Sequence, residues 1–144
     1  MIRVLTMVAA LVPAMLSAQQ TPPAAPPAKP EIFFRAPAAN ATVPATFPVV
    51  FGLRNYGVAP AGVPFTRTGH FHVLINVEPP APGVLIPTDS LHRHFGAGQI
   101  ETTLSLAPGT YTLRLVLADH EHKVIGPDLI SAPIRVTVRP PERR

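Results

Sequence analysis

The chain of 144 residues contains no cysteine and no tryptophan. The first absence removes disulfide staples, thiolate metal sites and cysteine nucleophiles together. It leaves the redox compartment unmarked, because a cysteine-free chain suits either side of a membrane. Acidic groups are also scarce, 8 against 12 Lys and Arg for a net charge of +4, and no two carboxylates have a spacing suited to glycoside hydrolysis. No Ser-His-Asp order with a nucleophile turn occurs, and Gly96-Ala-Gly98 is too short to cradle a phosphate. The expectation is a protein that is not an enzyme, with no identifiable small-molecule substrate. A nucleic-acid partner is not expected either. Arg139, Arg143 and Arg144 crowd into a terminal tail, and the remaining basic residues are scattered instead of being interleaved with aromatics on one face.

What is abundant is proline, 20 residues. This argues against helices, since each interior proline removes a backbone donor and clashes with the preceding turn. Residues 1–18 have the parts of a secretory signal: Arg3, an apolar stretch from Val4 to Leu16, then Ser17 and Ala18. As a helix that stretch extends about 20 Å, against roughly 30 Å of bilayer hydrocarbon, so cleavage near Ala18 is expected over a retained anchor. Leu16 at a position where a small residue is usual, and Pro13 within the run, keep the anchor as the alternative. Residues 19–30 (QQTPPAAPPAKP) form a Pro-rich spacer inclined to polyproline II.

Residues 31–138 carry short β-rich runs between turn signals: Glu31–Arg35, Phe47–Arg54, His70–Val77, Ile100–Leu106, Tyr111–Ala118 and Ile134–Val138, with a weaker one at Leu91–Phe95. The pattern predicts an all-β fold, an immunoglobulin-like antiparallel β-sandwich of about seven strands. In Leu106-Ala-Pro-Gly-Thr-Tyr111 a Pro-Gly turn feeds a strand with Tyr near its start, as in a tyrosine corner; a plain core aromatic is the other reading. Strand alternation places Phe71, Val73, Ile75 and Val77 with Tyr111, Leu113, Leu115 and Leu117 on buried faces, and His70, His72, Leu74 and Asn76 on the opposite one. The Val77–Leu91 excursion, apolar yet broken by proline, suits either a partner surface or a loop packed on its own domain.

All 6 histidines fall in His-x-His pairs: His70/His72, His92/His94 and His120/His122. On an extended strand each pair presents two imidazoles on one face about 7 Å apart. If the strand starting at His70 lies antiparallel to the one ending before His120, two pairs meet at one end of the domain. Converging neutral imidazoles are ligands for Cu(II), Zn(II) or Ni(II), and Asp119 and Glu121 are candidates to orient the rings. The same residues also suit a hydrogen-bonded network in which ring nitrogens satisfy loop carbonyls. Both readings stand on the sequence.

Phe51-Gly-Leu to Gly62, Thr68-Gly-His-Phe-His-Val-Leu-Ile75, His92-Arg-His-Phe-Gly-Ala-Gly-Gln-Ile-Glu101, Leu106-Ala-Pro-Gly109 and Leu113-Arg-Leu-Val-Leu-Ala-Asp119 with His122 together resemble the DUF4399 family of uncharacterised bacterial exported domains. The resemblance spans about residues 31–138. It implies a periplasmic sandwich and no agreed activity. The family often has three histidines in a row where this chain reads His70-Phe71-His72, so Phe71 removes one candidate ligand. A bacterial source makes the sequon Asn40-Ala41-Thr42 a chance match. Two functions follow as expectations. One is a periplasmic module binding copper or zinc through His70, His72, His92, His94, His120 and His122. The other is an accessory subunit docked on the periplasmic face of a membrane complex, respiratory or photosynthetic.

Overall fold

The computed structural model describes residues 27–141; the signal segment 1–18, the linker up to residue 26 and tail residues 142–144 lie outside the described residues. Among the described residues no helix is long and apolar enough to cross a membrane, and the only helical element is a single 3-10 turn, Pro127–Leu129. The strands are β1 (Glu31–Ala36), β2 (Ala41–Val43), β3 (Thr46–Arg54), β4 (Gly57–Val58), β5 (Thr68–Ile75), β6 (His92–Phe95), β7 (Glu101–Ser105), β8 (Gly109–Ala118) and β9 (Ile134–Val138). All seven runs expected from the sequence form strands. The two additional ones, β2 and β4, are too short to show alternation.

Two sheets face each other: one in the order β1-β3-β7, the other β2-β9-β8-β5-β4 with β6 paired to β5. Most pairs are antiparallel, but β2 joins β9 and β4 joins β5 in parallel. Pro48 sits within central β3, where a missing donor is usually excluded. It is accommodated because β1 pairs with β3 only from Val50 onward, leaving that side of Pro48 without a ladder neighbour among the described residues.

The main core lies between the sheets. Phe47, Val49 and Phe51 of β3 meet Phe71, Val73 and Ile75 of β5 and Leu113, Leu115 and Leu117 of β8. The Phe51 ring lies 4.8 Å from Phe71 and 5.1 Å from Phe95, contacts that add to simple area burial. Val77 does not continue the inward series. β5 ends at Ile75, and Asn76 turns left-handed (φ 57°), its Oδ1 accepting a hydrogen bond from Thr112 N at 2.7 Å. Val77 is thereby delivered to the other side of the sheet, where it packs on Leu74 and its neighbours.

That outer face is covered. Leu74, Val116 and Ala118 are buried beneath Ile86 of the 77–91 excursion and Val124 of the 119–130 segment, forming a second, smaller core. The two covers are stitched together by backbone bonds from Gly83 N to Val124 O (2.8 Å), Val124 N to Val84 O (3.0 Å) and Ile86 N to His122 O (2.9 Å). The side of β5 that carries the first histidine pair is therefore an interior rather than a solvated surface.

Tyr111 makes the expected corner: its hydroxyl donates to the Ala107 carbonyl, 2.9 Å away and four residues upstream. Tyr111→Phe removes this bond and keeps the ring. It should lower stability by about 1 kcal/mol, read as a fall of roughly 4–8 °C in Tm for a domain of this size. A melting curve superimposable on wild type would show that the hydroxyl contributes nothing.

Candidate metal centre

The β5–β8 register sets His70 opposite Ala118 and His72 opposite Val116, so the start of one strand lies beside the end of the other. On its other side β5 pairs with β6, and there His72 is directly opposite His94. His70, His72 and His94 are thus brought to one face and one end by backbone pairing alone. Cross-strand partners stand only about 5 Å apart at Cβ.

His122 arrives by a different route. β8 stops at Ala118, so the extended parity expected to carry His120 and His122 does not persist. The chain turns instead: Asp119 Oδ1 accepts from Glu121 N and Lys123 N, both at 2.9 Å, and His122 N donates to Asp119 O at 3.0 Å. His122 takes the left-handed conformation (φ 67°) that closes this turn. For a residue with a Cβ that conformation carries strain on the order of 1 kcal/mol. The turn swings His122 back over the sheet and leaves His120 beside a separate cleft with Tyr56, Phe65 and Arg67.

Four imidazoles result in mutual contact. Centroid separations are 5.0 Å for His70–His72, His70–His94 and His72–His94, 4.9 Å for His70–His122, 4.8 Å for His94–His122 and 6.2 Å for His72–His122. His70 and His72 are 0% and 2% exposed and form the floor; His94 is exposed and His122 half-buried. Ligand nitrogens of His70, His94 and His122 lie within 4.8 Å of one another, and His72 Nε2 is 3.1 Å from His70 Nε2. Gly96 makes room for the group: a Cβ there would fall 2.3 Å from His94 Cε1, displacing the ring.

Of the six histidines proposed as ligands, the structure gathers these four. Among the described residues His92 and His120 make no ring contact with them. His92 is held instead by Asp89, whose Oδ1 accepts from His92 Nδ1 at 2.8 Å. Asp119 and Glu121 orient no ring: Asp119 organises its own turn, and Glu121 pairs with Lys123 Nζ at 2.8 Å. The orienting carboxylate present, Asp89, was missed in the sequence. Its signal is its place three residues before His92, at the end of an otherwise apolar, proline-broken excursion.

Burial governs the charge state. Desolvation pushes the His70 imidazole down to about 4, helped by repulsion from His122 and His94 and opposed by Asp119. Desolvation, then repulsion from His70, His94, His122 and His92, pushes His72 down to about 3. His94 is also lowered, by burial first and His122 second. At neutral pH these three rings are uncharged, the state in which imidazole donates a lone pair to a metal.

These shifts have a signed consequence for the metal-free protein. Unfolded histidines take up protons as pH falls through about 6.5, whereas folded His70 and His72 resist until about 4 and 3. The stability they confer is therefore complete above about pH 6.5 and drains away below it, by up to about 1.4 kcal/mol per pH unit per ring. Urea unfolding at pH 7.5, 6 and 5 should show this slope, and His72→Leu should reduce it by about half. An equal slope in the variant would mean that His72 is not one of its sources.

The profile of a family described as Domain of unknown function (DUF4399) matches residues 49–139, which include all six histidines. Comparison with curated proteins and with solved structures gives no significant match.

Proposed function

The protein belongs to the DUF4399 family, whose description assigns no activity, and on that footing we propose that it is a non-enzymatic periplasmic module binding one divalent transition-metal ion, copper or zinc, through His70, His72, His94 and His122. The carrying observation is the ring spacing. Imidazoles bound through nitrogen at about 2.0–2.1 Å in tetrahedral geometry place their centroids about 5 Å apart. Five of the six separations fall between 4.8 and 5.0 Å. The 3.1 Å between the His70 and His72 Nε2 atoms is close to the roughly 3.3 Å edge of such a tetrahedron.

The hydrogen-bonded network fares less well on the same residues. It requires ring nitrogens bonded to loop carbonyls, yet among the described residues Nδ1 of both His70 and His72 is buried without a partner, and the hydrogen bond the two rings make is to each other. An ion engages both Nε2 lone pairs at once, where the metal-free pair shares one proton between them. Ligand chemistry supports copper or zinc. The set is all imidazole, the chain has no thiolate, and its methionines stand at positions 1, 7 and 15, far from the cluster in sequence.

Purified protein should bind one Cu(II) or Zn(II) per chain by calorimetry and elemental analysis. An ion at a hundred times its Kd should raise stability by about 2.7 kcal/mol. His70→Ala/His72→Ala should abolish tight binding. His122→Asn, which tolerates the left-handed turn, should fold normally and bind at least about tenfold more weakly. Equal affinity of wild type and the double variant would end the proposal.

A second reading, an accessory subunit of a membrane complex on the periplasmic side, draws support from apolar exposure on the loops. Val84, Leu85 and Leu91 of the excursion are exposed, Leu85 by 59%, and Phe65 is 68% exposed. Exposed apolar residues that cluster on loops mark contact surfaces. Native pull-down from membranes should then recover a complex that Leu85→Asp together with Phe65→Asp disrupts; recovery only as a free monomer would count against it.

A further inference from the structure

The four-histidine cluster has a closed floor and an open side. Two imidazoles are almost inaccessible, so an ion reaches them past exposed His94 or half-buried His122. On the His94 side lies a cleft of about 500 Å³ between the edges of β6 and β7 that pair with no other strand among the described residues; its lining includes Asp89, His92, His94, Thr102, Thr103 and Ser105. His92 and His94 therefore share one cleft. They alternate along β6 and so stand about 7 Å apart on one strand face, with His92 opposite Leu74 and His94 opposite His72.

His92 is prepared in a way that the four cluster residues are not. Its Nδ1 is fixed on Asp89 Oδ1, and that oxygen also accepts from Leu91 N at 2.8 Å and His92 N at 3.0 Å. The carboxylate is thus locked by the backbone, and the ring is locked by the carboxylate. With Nδ1–H donating, Nε2 holds the free lone pair. A carboxylate–histidine pair is the arrangement that orients metal-binding imidazoles and raises their basicity, and Asp89 adds negative charge at a point where a dication would approach. His92 stands two residues along β6 from His94, the partner of His72 in the β5–β6 ladder.

Resting on the metal-binding reading, we infer that the Asp89–His92 pair is a transfer ligand, through which a divalent ion passes between the β6/β7 cleft and the four-histidine cluster. A ligand that holds the ion only in transit lowers the barrier in both directions and leaves the equilibrium unchanged. A fifth ligand of the resting site would do the opposite, changing affinity. The distinction is kinetic and can be read directly.

The test follows Co(II) and Zn(II) loading of the full protein by stopped flow, and release into an excess of EDTA. His92→Ala should slow loading and release alike by about tenfold, with Kd within twofold of wild type; Asp89→Asn should do the same to a smaller extent. Thermal melts of the metal-free variants confirm that both fold. Unchanged rates in both variants overturn the inference while metal binding stands. A Kd weakened tenfold with loading unchanged also overturns it, making His92 a resident ligand. Wild type that takes up neither ion overturns the metal-binding reading and the transfer role with it.

Discussion

The antiparallel pairing of β5 with β8 is the constraint on which the molecule turns. On its inner side this ladder supplies Phe71, Val73, Ile75, Leu113, Leu115 and Leu117 to the main core. On its outer side the same register places His70 and His72 next to Val116 and Ala118. Because side chains alternate strictly, one pairing determines both faces, and a slip by one residue would send the imidazoles into the sandwich and the phenylalanine out. The core thus enforces the register, and the register positions the cluster.

Covering the outer face changes what the histidines are. Left in water, His70 and His72 would be ordinary surface imidazoles. Packed against the rings of His94 and His122 and beside Val116 and Ala118, they are desolvated and neutral at physiological pH. The turn at Asp119–His122 contributes to both effects, since it carries His122 into the cluster while the His122 carbonyl receives Ile86 N from the excursion. Site and cover are held by the same few residues. Glycine would take this left-handed turn more easily but would bring no imidazole to the cluster.

Much of this was legible before any coordinates. Short β-rich runs between turn signals located all seven longer strands, the Pro-Gly-Thr-Tyr111 sequence offered the corner as one of two readings, and the absence of stray histidines marked the pairs as a unit. Parity also put His70 and His72 opposite the main core. It failed at Val77 and at His120 and His122 for one reason. Alternation holds only while the backbone stays extended, and β5 gives way to left-handed Asn76 after Ile75 as β8 gives way to the Asp119–His122 turn after Ala118. β5 ends at Ile75 and β8 at Ala118, with Asn76 and Asp119 opening the turns, and strand ends are the boundaries that spacing alone locates least well.

The sequence by itself determined the strands, the faces and the residue types able to bind a metal, because these depend on local propensity and on a period of two. Tertiary structure alone decided which four of six histidines meet, since that depends on three chain segments closing on one another across a sheet. It also decided that the outer face is dry, and that Asp89 serves His92 while Asp119 serves a turn. A carboxylate's partner is set by which donors the folded backbone brings within about 3 Å, and no spacing along the chain encodes that distance.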